Sequence, residues 1–184
     1  STKQNQAYIE VAHYYFDQGN YPQSLTWFDK ANTESMSYSD LEKYNFQKGY
    51  AYFTAKNNKE ATKFFNKVIN SKTFGSQAKY YLGYLSYESD DYTSANQYFD
   101  QVQDKDKYKE KMGYFQADMN FKLGNFQKAI DLGVEQMPKS NAVEKSELSK
   151  IIGESYFNLK QYDKALPYLV DYRGKKGKWN NTDY

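Results

Sequence analysis

The sequence predicts an all-α fold, an α-α superhelix (a solenoid) of about five helical hairpins. Five times a small residue is followed twelve positions later by another small residue. The pairs are Ala12 and Ser24, Gly49 and Ala61, Gly83 and Ala95, Ala117 and Ala129, and Gly153 and Ala165. Successive pairs begin 37, 34, 34 and 36 residues apart, and self-similarity at about 34 residues is typical of stacked helix–turn–helix units. Two helices joined by a short turn come closest where both side chains are small, so the offset of twelve predicts the hairpin geometry.

Other residue types repeat in phase with these pairs. Four residues after the second small residue comes a large apolar side chain, which lies one helical turn further along the same face. These residues are Phe28, Phe65, Phe99 and Leu169. Three residues before the second small residue, four of the five copies carry an aromatic side chain: Tyr21, Tyr92, Phe126 and Tyr162, with Asn58 as the exception. No alternation typical of a β-strand occurs along the chain.

The segments 124–130 (GNFQKAI) and 160–166 (KQYDKAL) combine a turn with the start of a second helix. In these segments, and in the spacing above, the chain resembles the tetratricopeptide repeat over nearly its whole length. The resemblance implies a single array over residues 1–172. The implied repeats lie near 5–38, 42–75, 76–109, 110–143 and 146–172. The Tyr-, Lys- and Asn-rich style is similar to long tetratricopeptide arrays of bacterial cell envelopes, which implies the periplasm or cell envelope rather than the cytoplasm.

Local signals predict where helices begin and which helix packs worst. Ser39 with Glu42, and Asn141 with Glu144, have the spacing of capping boxes. Pro22 falls in the first turn of a helix, where the missing N–H costs nothing. The second helix of the fourth repeat carries Gly133 and Gln136 where a bulky and a small apolar residue are expected, and Gly within a helix costs about 1 kcal/mol relative to Ala. We therefore expect this helix to be the least well packed.

The repeat pattern stops after Tyr172. Residues 173–184 begin with a basic, glycine-broken loop and end with Trp179 to Tyr184. Arrays of this kind normally end in a helix with a polar outer face, and no such pattern is visible here. Two interpretations remain open: a further repeat begins here as part of a longer array, or the segment is a flexible tail.

Composition excludes several classes of protein. The 25 basic and 23 acidic residues are interleaved and give a net charge of +2, which is too weak a field to predict nucleic-acid binding. Mean hydropathy is −1.01, yet 19% of the residues are aromatic, whereas disordered chains are poor in aromatic residues. No apolar run is long enough to predict a membrane span. Cysteine is absent, which fits a cytosol or a cell envelope equally well.

The sequence offers no set of residues for catalysis. An active site needs a nucleophile, a base or a metal cluster at workable spacing, and His13 is the only histidine. Paired-histidine metal motifs are therefore excluded, and no glycine-rich phosphate loop is present. We predict that the chain is not an enzyme and carries neither a metal nor a cofactor.

The resemblance implies that the first helices of successive repeats line a concave groove in which a protein partner binds. Inward positions near the N-terminus include Gln6, Ile9 and Lys43. The candidate groove residues, mostly aromatic, are His13, Phe46, Tyr50, Phe53, Tyr80, Tyr84, Tyr87, Tyr114 and Asp118. Rings of this kind suit apolar or proline-containing peptide segments, because they offer large contact area at low entropic cost. The Lys, Asn and Arg clamp of the chaperone-tail-binding versions of this fold is absent from the matching positions.

Alternative interpretations remain. Each ring could instead pack between adjacent first helices. Stacked rings also bind sugars, so a carbohydrate-binding or nutrient-uptake accessory protein of the cell envelope is one alternative, although only Trp27 and Trp179 could provide the usual tryptophan platform. A purely architectural segment of a longer array is another. The sequence leaves the partner and the oligomeric state open.

Overall fold

The computed structural model describes residues 2–103 and 105–173, with all side chains except those of 105–107, 109, 110 and 173. No strand occurs within this part of the chain. Its helices are α1 (Thr2–Asp17), α2 (Tyr21–Phe28), α3 (Tyr38–Thr54), α4 (Asn58–Asn66), α5 (Gly75–Glu88), α6 (Tyr92–Asp100), α7 (Lys105–Lys122), α8 (Phe126–Gln136), a 3₁₀ turn (Met137–Lys139), α9 (Ala142–Asn158) and α10 (Tyr162–Arg173). The predicted all-α solenoid is confirmed, whereas the basic loop predicted after Arg173 lies outside the described residues.

The chain divides into two compact units, which we call the first unit (residues 1–85) and the second unit (residue 86 onward). The division falls within α5. In the first unit a core cluster joins Ala12, Phe28, Tyr44 and Phe64. In the second unit a cluster joins Ala117, Ala129, Leu148 and Ile151. Both clusters include small residues that the repeat pattern identified, Ala12 in the first and Ala117 with Ala129 in the second.

The paired small residues lie where the helices of each hairpin come closest. Ser24 Oγ donates a hydrogen bond to the carbonyl oxygen of Ala12 at 2.9 Å. A Cβ atom added to Gly49 would lie 3.0 Å from the ring of Phe65. At Gly153 the same atom would lie 2.7 Å from Leu169 Cδ2. A larger side chain at these positions would hold the two helices apart.

The turn inside each hairpin uses the same backbone conformation in all five copies. Seven residues after the first small residue, φ is positive: Gly19 (72°), Lys56 (59°), Asp90 (61°), Gly124 (77°) and Lys160 (60°). The next residue is the N-cap of the second helix, and in three copies its side chain accepts a hydrogen bond from a backbone N–H of the first turn: Asn20, Asn57 and Asp91. Such caps satisfy N–H groups that have no partner within the helix.

One predicted capping box is confirmed and the other is wrong. Asn141 and Glu144 exchange the two expected hydrogen bonds at the start of α9. In α3 the N-cap is Ser37 instead of Ser39, because its side chain accepts from the backbone N–H of Asp40 at 3.2 Å and donates to Asp40 Oδ2 at 2.7 Å. Asp40 supplies the carboxylate that was expected from Glu42, so the helix begins two residues earlier.

The unusual residues of α8 are accommodated by their neighbours. A Cβ atom on Gly133 would lie 2.9 Å from Ile152 Cγ1, so the glycine allows close approach of α9. Gln136 is buried, at 2% exposure, and a Cβ atom on Gly113 would overlap its Oε1 atom. Gly113 therefore provides the space that the larger Gln136 occupies. Each departure in α8 thus has a complementary residue beside it, whereas the expectation that α8 is the least well packed helix stays a prediction.

Enlarging a small residue at the hairpin contact should destabilise the chain. Ala129→Leu adds three carbon atoms at a fully buried position between α7 and α8, and overpacking of this kind costs roughly 1–3 kcal/mol. The matched control is Ala142→Leu, which makes the same change at an exposed alanine in α9. Urea unfolding monitored by circular dichroism measures both variants. Equal stability of the two variants would contradict the hairpin contact described above.

Candidate partner-binding surface

The N-terminal end of the predicted groove is a pocket of about 370 Å³ between α1 and α3. Gln6, Ile9 and His13 of α1 face it together with Lys43 of α3. These four residues were predicted to share one surface because they lie on the inward face of successive first helices. The remaining lining residues include Glu10 and Asp40, so the pocket carries side chains of both charges.

His13 connects α1 to α3 at the base of this pocket. Its Nδ1 atom is hydrogen-bonded to Oε1 of Gln47, and its ring meets the edge of Phe28 at 5.5 Å. Burial lowers the pKa of His13 below the ordinary value of 6.5, and the hydrogen bond to Gln47 acts in the opposite direction with the smaller effect.

The first unit holds a continuous cluster of half-buried rings. Tyr50 lies between Phe16 of α1, 5.7 Å away, and Tyr81 of α5, 5.3 Å away. Phe53 continues the cluster, with its ring 6.2 Å from Tyr50 and 5.7 Å from Tyr84. Most of these contacts are edge-to-face, the arrangement that aromatic pairs favour. The cluster, which we call the ring surface, therefore joins three first helices.

Two of the candidate groove residues lie in the core. Phe46 is 9% exposed and Tyr80 is 8% exposed. The ring of Phe46 stacks on Phe74 with centroids 4.8 Å apart. Neither residue presents enough surface for a partner, so both are left out of the ring surface. At these two positions the alternative, that rings pack between helices, describes the structure.

In the second unit the candidates Tyr87 and Asp118 form one hydrogen-bonded group. Tyr87 donates its hydroxyl proton to Asp118 Oδ2 at 2.6 Å. Lys122 forms an ion pair with the same oxygen at 2.8 Å and lies over the ring of Tyr92, 4.7 Å from its centroid. We call these four residues the acid–tyrosine group. The charge of Asp118 is therefore balanced inside the group.

Tyr87 and Tyr114 keep their hydroxyl protons at neutral pH. Burial, with a hydrogen bond to Asp118, raises the pKa of Tyr87 far above its ordinary value. Burial, with the nearby charge of Asp118, raises the pKa of Tyr114 to about 12. For Lys122 burial lowers the pKa, but hydrogen bonds to Asp118 and Tyr92 outweigh it and the pKa is raised. The group is thus a fixed arrangement of hydrogen-bond donors around one carboxylate.

Sequence reasoning left three members of these surfaces, Tyr81, Tyr92 and Lys122, out of the candidate groove residues. Tyr81 was not included although it joins Tyr50 and Phe53. Lys122 was also missed, and the signal for it is its spacing of four residues from Asp118 on α7, which favours an ion pair on a helix.

Within residues 2–103 and 105–173 no group of three or more metal-ligating side chains converges. No helix in this range is long and apolar enough to span a bilayer.

The titration of His13 should be visible in the stability of the chain. Because the pKa of His13 is lowered in the folded state, the unfolded chain binds a proton more readily, and stability is lost as pH falls below about 6.5. His13→Gln removes this dependence. The free energy of unfolding in urea, measured at pH 8 and pH 5.5, should fall more for the unchanged chain than for the variant. The charged groups that act on His13 are Lys43, Asp17 and Asp40, and both chains retain all three. A smaller fall in the unchanged chain than in the variant would mean that the folded chain binds a proton on His13 more tightly than the unfolded chain does, and would contradict the prediction.

Comparison with known proteins identifies the repeats. Two family models for the tetratricopeptide repeat match the chain, one at residues 36–73 and the other at residues 77–107. Comparison with curated proteins gives no significant match.

Among solved structures, MamA from AMB-1 is similar in fold at 14% identity, over 95% of this chain and 92% of that chain, with a TM-score of 0.77. MamA from MSR-1 is similar at 14% identity, over 93% and 95% of the two chains, with a TM-score of 0.71. MamA residues 41 to the end from Desulfovibrio magneticus RS-1 is similar at 13% identity, over 92% and 93%, with a TM-score of 0.67. At these identities the likeness concerns the fold alone.

Tetratricopeptide repeats form protein-interaction scaffolds as a class and are generally not enzymes. The repeated small-residue pairs, the helical hairpins of the described residues and the two matched repeats all identify this repeat family. The chain is a tetratricopeptide-repeat protein.

Proposed function

We propose that the chain is a non-enzymatic scaffold that binds an extended segment of another protein on the aromatic surfaces of its first helices. The observation that carries this proposal is the ring surface, where Tyr50, Phe53 and Tyr84 are half-buried and in contact with one another. Half-buried rings retain apolar surface for a ligand while their positions are already fixed by their neighbours.

The chemistry of the ring surface favours a peptide with apolar or proline side chains. Each ring offers a flat apolar face, and the tyrosines add hydroxyl groups that can bond to a peptide backbone. Because the rings support one another across three helices, little side-chain freedom remains to be lost on binding. Binding energy in such surfaces is concentrated in a few aromatic residues.

The second unit offers a different kind of contact. In the acid–tyrosine group the carboxylate of Asp118 already has an ion pair and a hydrogen bond, so it does not add an uncompensated negative charge. Tyr114 is half-buried beside it and its hydroxyl stays protonated. This unit therefore favours hydrogen-bonding to a neutral peptide backbone over binding of a strongly basic tail.

The proposal is tested by selecting binders from a displayed library of random peptides and measuring their affinity by calorimetry. Changing both Tyr50 and Tyr84 to Ala should weaken the selected peptides about 30-fold or more, which corresponds to the roughly 2 kcal/mol that central aromatic residues contribute. The same double change should reduce recovery of the native partner by pull-down.

Two controls separate binding from folding. Tyr52→Ala removes a half-buried tyrosine on the same helix whose ring stacks on Phe64, 5.7 Å away, and it should leave peptide affinity unchanged. The double change of Lys63 and Gln97, both exposed on second helices, to Ala should also leave it unchanged. Peptide binding that survives loss of Tyr50 and Tyr84 but is lost with Lys63 and Gln97 would place the partner on the second helices. If Tyr52→Ala weakens binding as much as the double change of Tyr50 and Tyr84, the loss of affinity comes from disturbed packing and not from the ring surface, and the proposal fails.

A further inference from the structure

The last helix has an exposed apolar stripe. Tyr162, Leu166 and Val170 recur every four residues along α10 and therefore share one face. They are 54%, 63% and 50% exposed. At the end of α9, Phe157 extends the stripe, with its ring 5.2 Å from that of Tyr162. We call this surface the C-terminal face. Contiguous exposed apolar surface of this kind usually marks an interaction site.

In earlier repeats the equivalent face packs on the next repeat. The three positions of the stripe lie three residues before, one after and five after the second small residue. At each position an earlier second helix contacts the first helix that follows it. These contacts are Tyr21 with Tyr50 (ring centroids 5.3 Å apart), Asn120 Nδ2 donating to Asn96 Oδ1 at 3.3 Å, and Lys48 Nζ with Asp29 Oδ1 at 2.7 Å.

The first helix presents the counterpart of this face. Later first helices bury two positions that face the preceding repeat. The first lies five residues before the first small residue and holds Tyr44, Met112 and Leu148. The second lies two residues after it and holds Ala51, Met119 and Ser155. In α1 these positions hold Ala7, which is exposed, and Tyr14, which is 61% exposed. Half-buried Val11 lies between them. We call these three residues, with Tyr15, the N-terminal face.

The two faces match in chemistry when they are placed in the register of the internal contacts. Leu166 and Tyr15 occupy the repeat positions of Asn96 and Asn120, so the same contact between two copies would place Leu166 of one copy against Tyr15 of the other. Val170 and Val11 occupy the repeat positions of Asp29 and Lys48, so they would meet in the same way. Polar pairs inside the chain are thus replaced by apolar pairs at two of the three positions. At the third position, the aromatic pair of Tyr21 and Tyr50 is replaced by Tyr162 and His13.

We infer that the C-terminal face of one copy of this chain packs on the N-terminal face of a second copy, head to tail. The contact continues the interface that already joins the repeats within each unit. Such a contact uses two different surfaces, so it does not close on itself in a pair and leaves one face free at each end. The expected assembly is an open row of copies whose length grows with concentration.

The experiment blocks one face at a time. Tyr14→Asp places a charge on the N-terminal face and Leu166→Asp places one on the C-terminal face, both at exposed positions where folding should be kept. Sedimentation equilibrium should show the unchanged chain associating as its concentration rises and each variant remaining a monomer. An equal mixture of the two variants should form a one-to-one dimer and nothing larger, because each variant keeps the face that the other has lost. Gln97→Asp, a charge at an exposed position of α6, is the control and should associate like the unchanged chain.

Several outcomes would overturn the inference. A monomeric unchanged chain at every concentration would do so. So would a Tyr14→Asp variant that still dimerises alone, because the C-terminal face would then pair with itself. If a chain ending at Arg173 associates while the chain of 184 residues does not, residues 174–184 of the same chain block the face. Retained helical circular dichroism in all variants is required for each comparison.

Discussion

The close approach of two helices at paired small residues is the constraint on which the rest of the structure depends. Where Ser24 donates its hydroxyl to the carbonyl of Ala12, the backbones approach closely enough for one side chain to bond the other helix. This proximity requires a short turn, and all five hairpins make it with a left-handed residue seven positions after the first small residue. Lys56, Asp90 and Lys160 adopt this conformation despite its steric cost to residues other than glycine. The packing of the hairpin therefore outweighs local backbone preference.

The junctions between repeats follow a different rule, because contacts of different chemistry hold them. An aromatic pair and an ion pair join the first repeat to the second, and an amide pair joins the third repeat to the fourth. Lys48 shows how a charge is tolerated there. Burial lowers its pKa, but hydrogen bonds to Asp29 and Tyr44 outweigh the burial and raise the pKa overall. A buried lysine remains charged at this junction because its partners are supplied by the preceding repeat and by its own helix.

The fold could be predicted because its signals are periodic, whereas the errors concern features that depend on single neighbours. Period, small-residue pairs and turn residues recur five times, so no single departure hides them. The start of α3 was misplaced because Asp40 replaces the longer carboxylate of a usual capping box. The surroundings of Gln136 in α8 could not be predicted, because a sequence position shows that Gln136 is large but not that Gly113 faces it. Helical phase predicted that Phe46 and Tyr80 line the groove, but phase alone does not distinguish a ring covered by a neighbour from a ring that lines a surface.

That distinction bears on the proposed function, in which the same rings would provide both stability and a surface for binding. In the ring surface each aromatic residue is held by others on adjacent first helices, as Tyr50 is held by Phe16 and Tyr81. A ligand would therefore meet side chains that have already lost their rotational freedom on folding, and most of the contact energy would remain available for affinity. The same arrangement implies that changes in the surface are transmitted to stability. Partner specificity in such a chain should evolve most readily at ring hydroxyls and at neighbouring polar residues, since these can change without removing the ring contacts that support the fold.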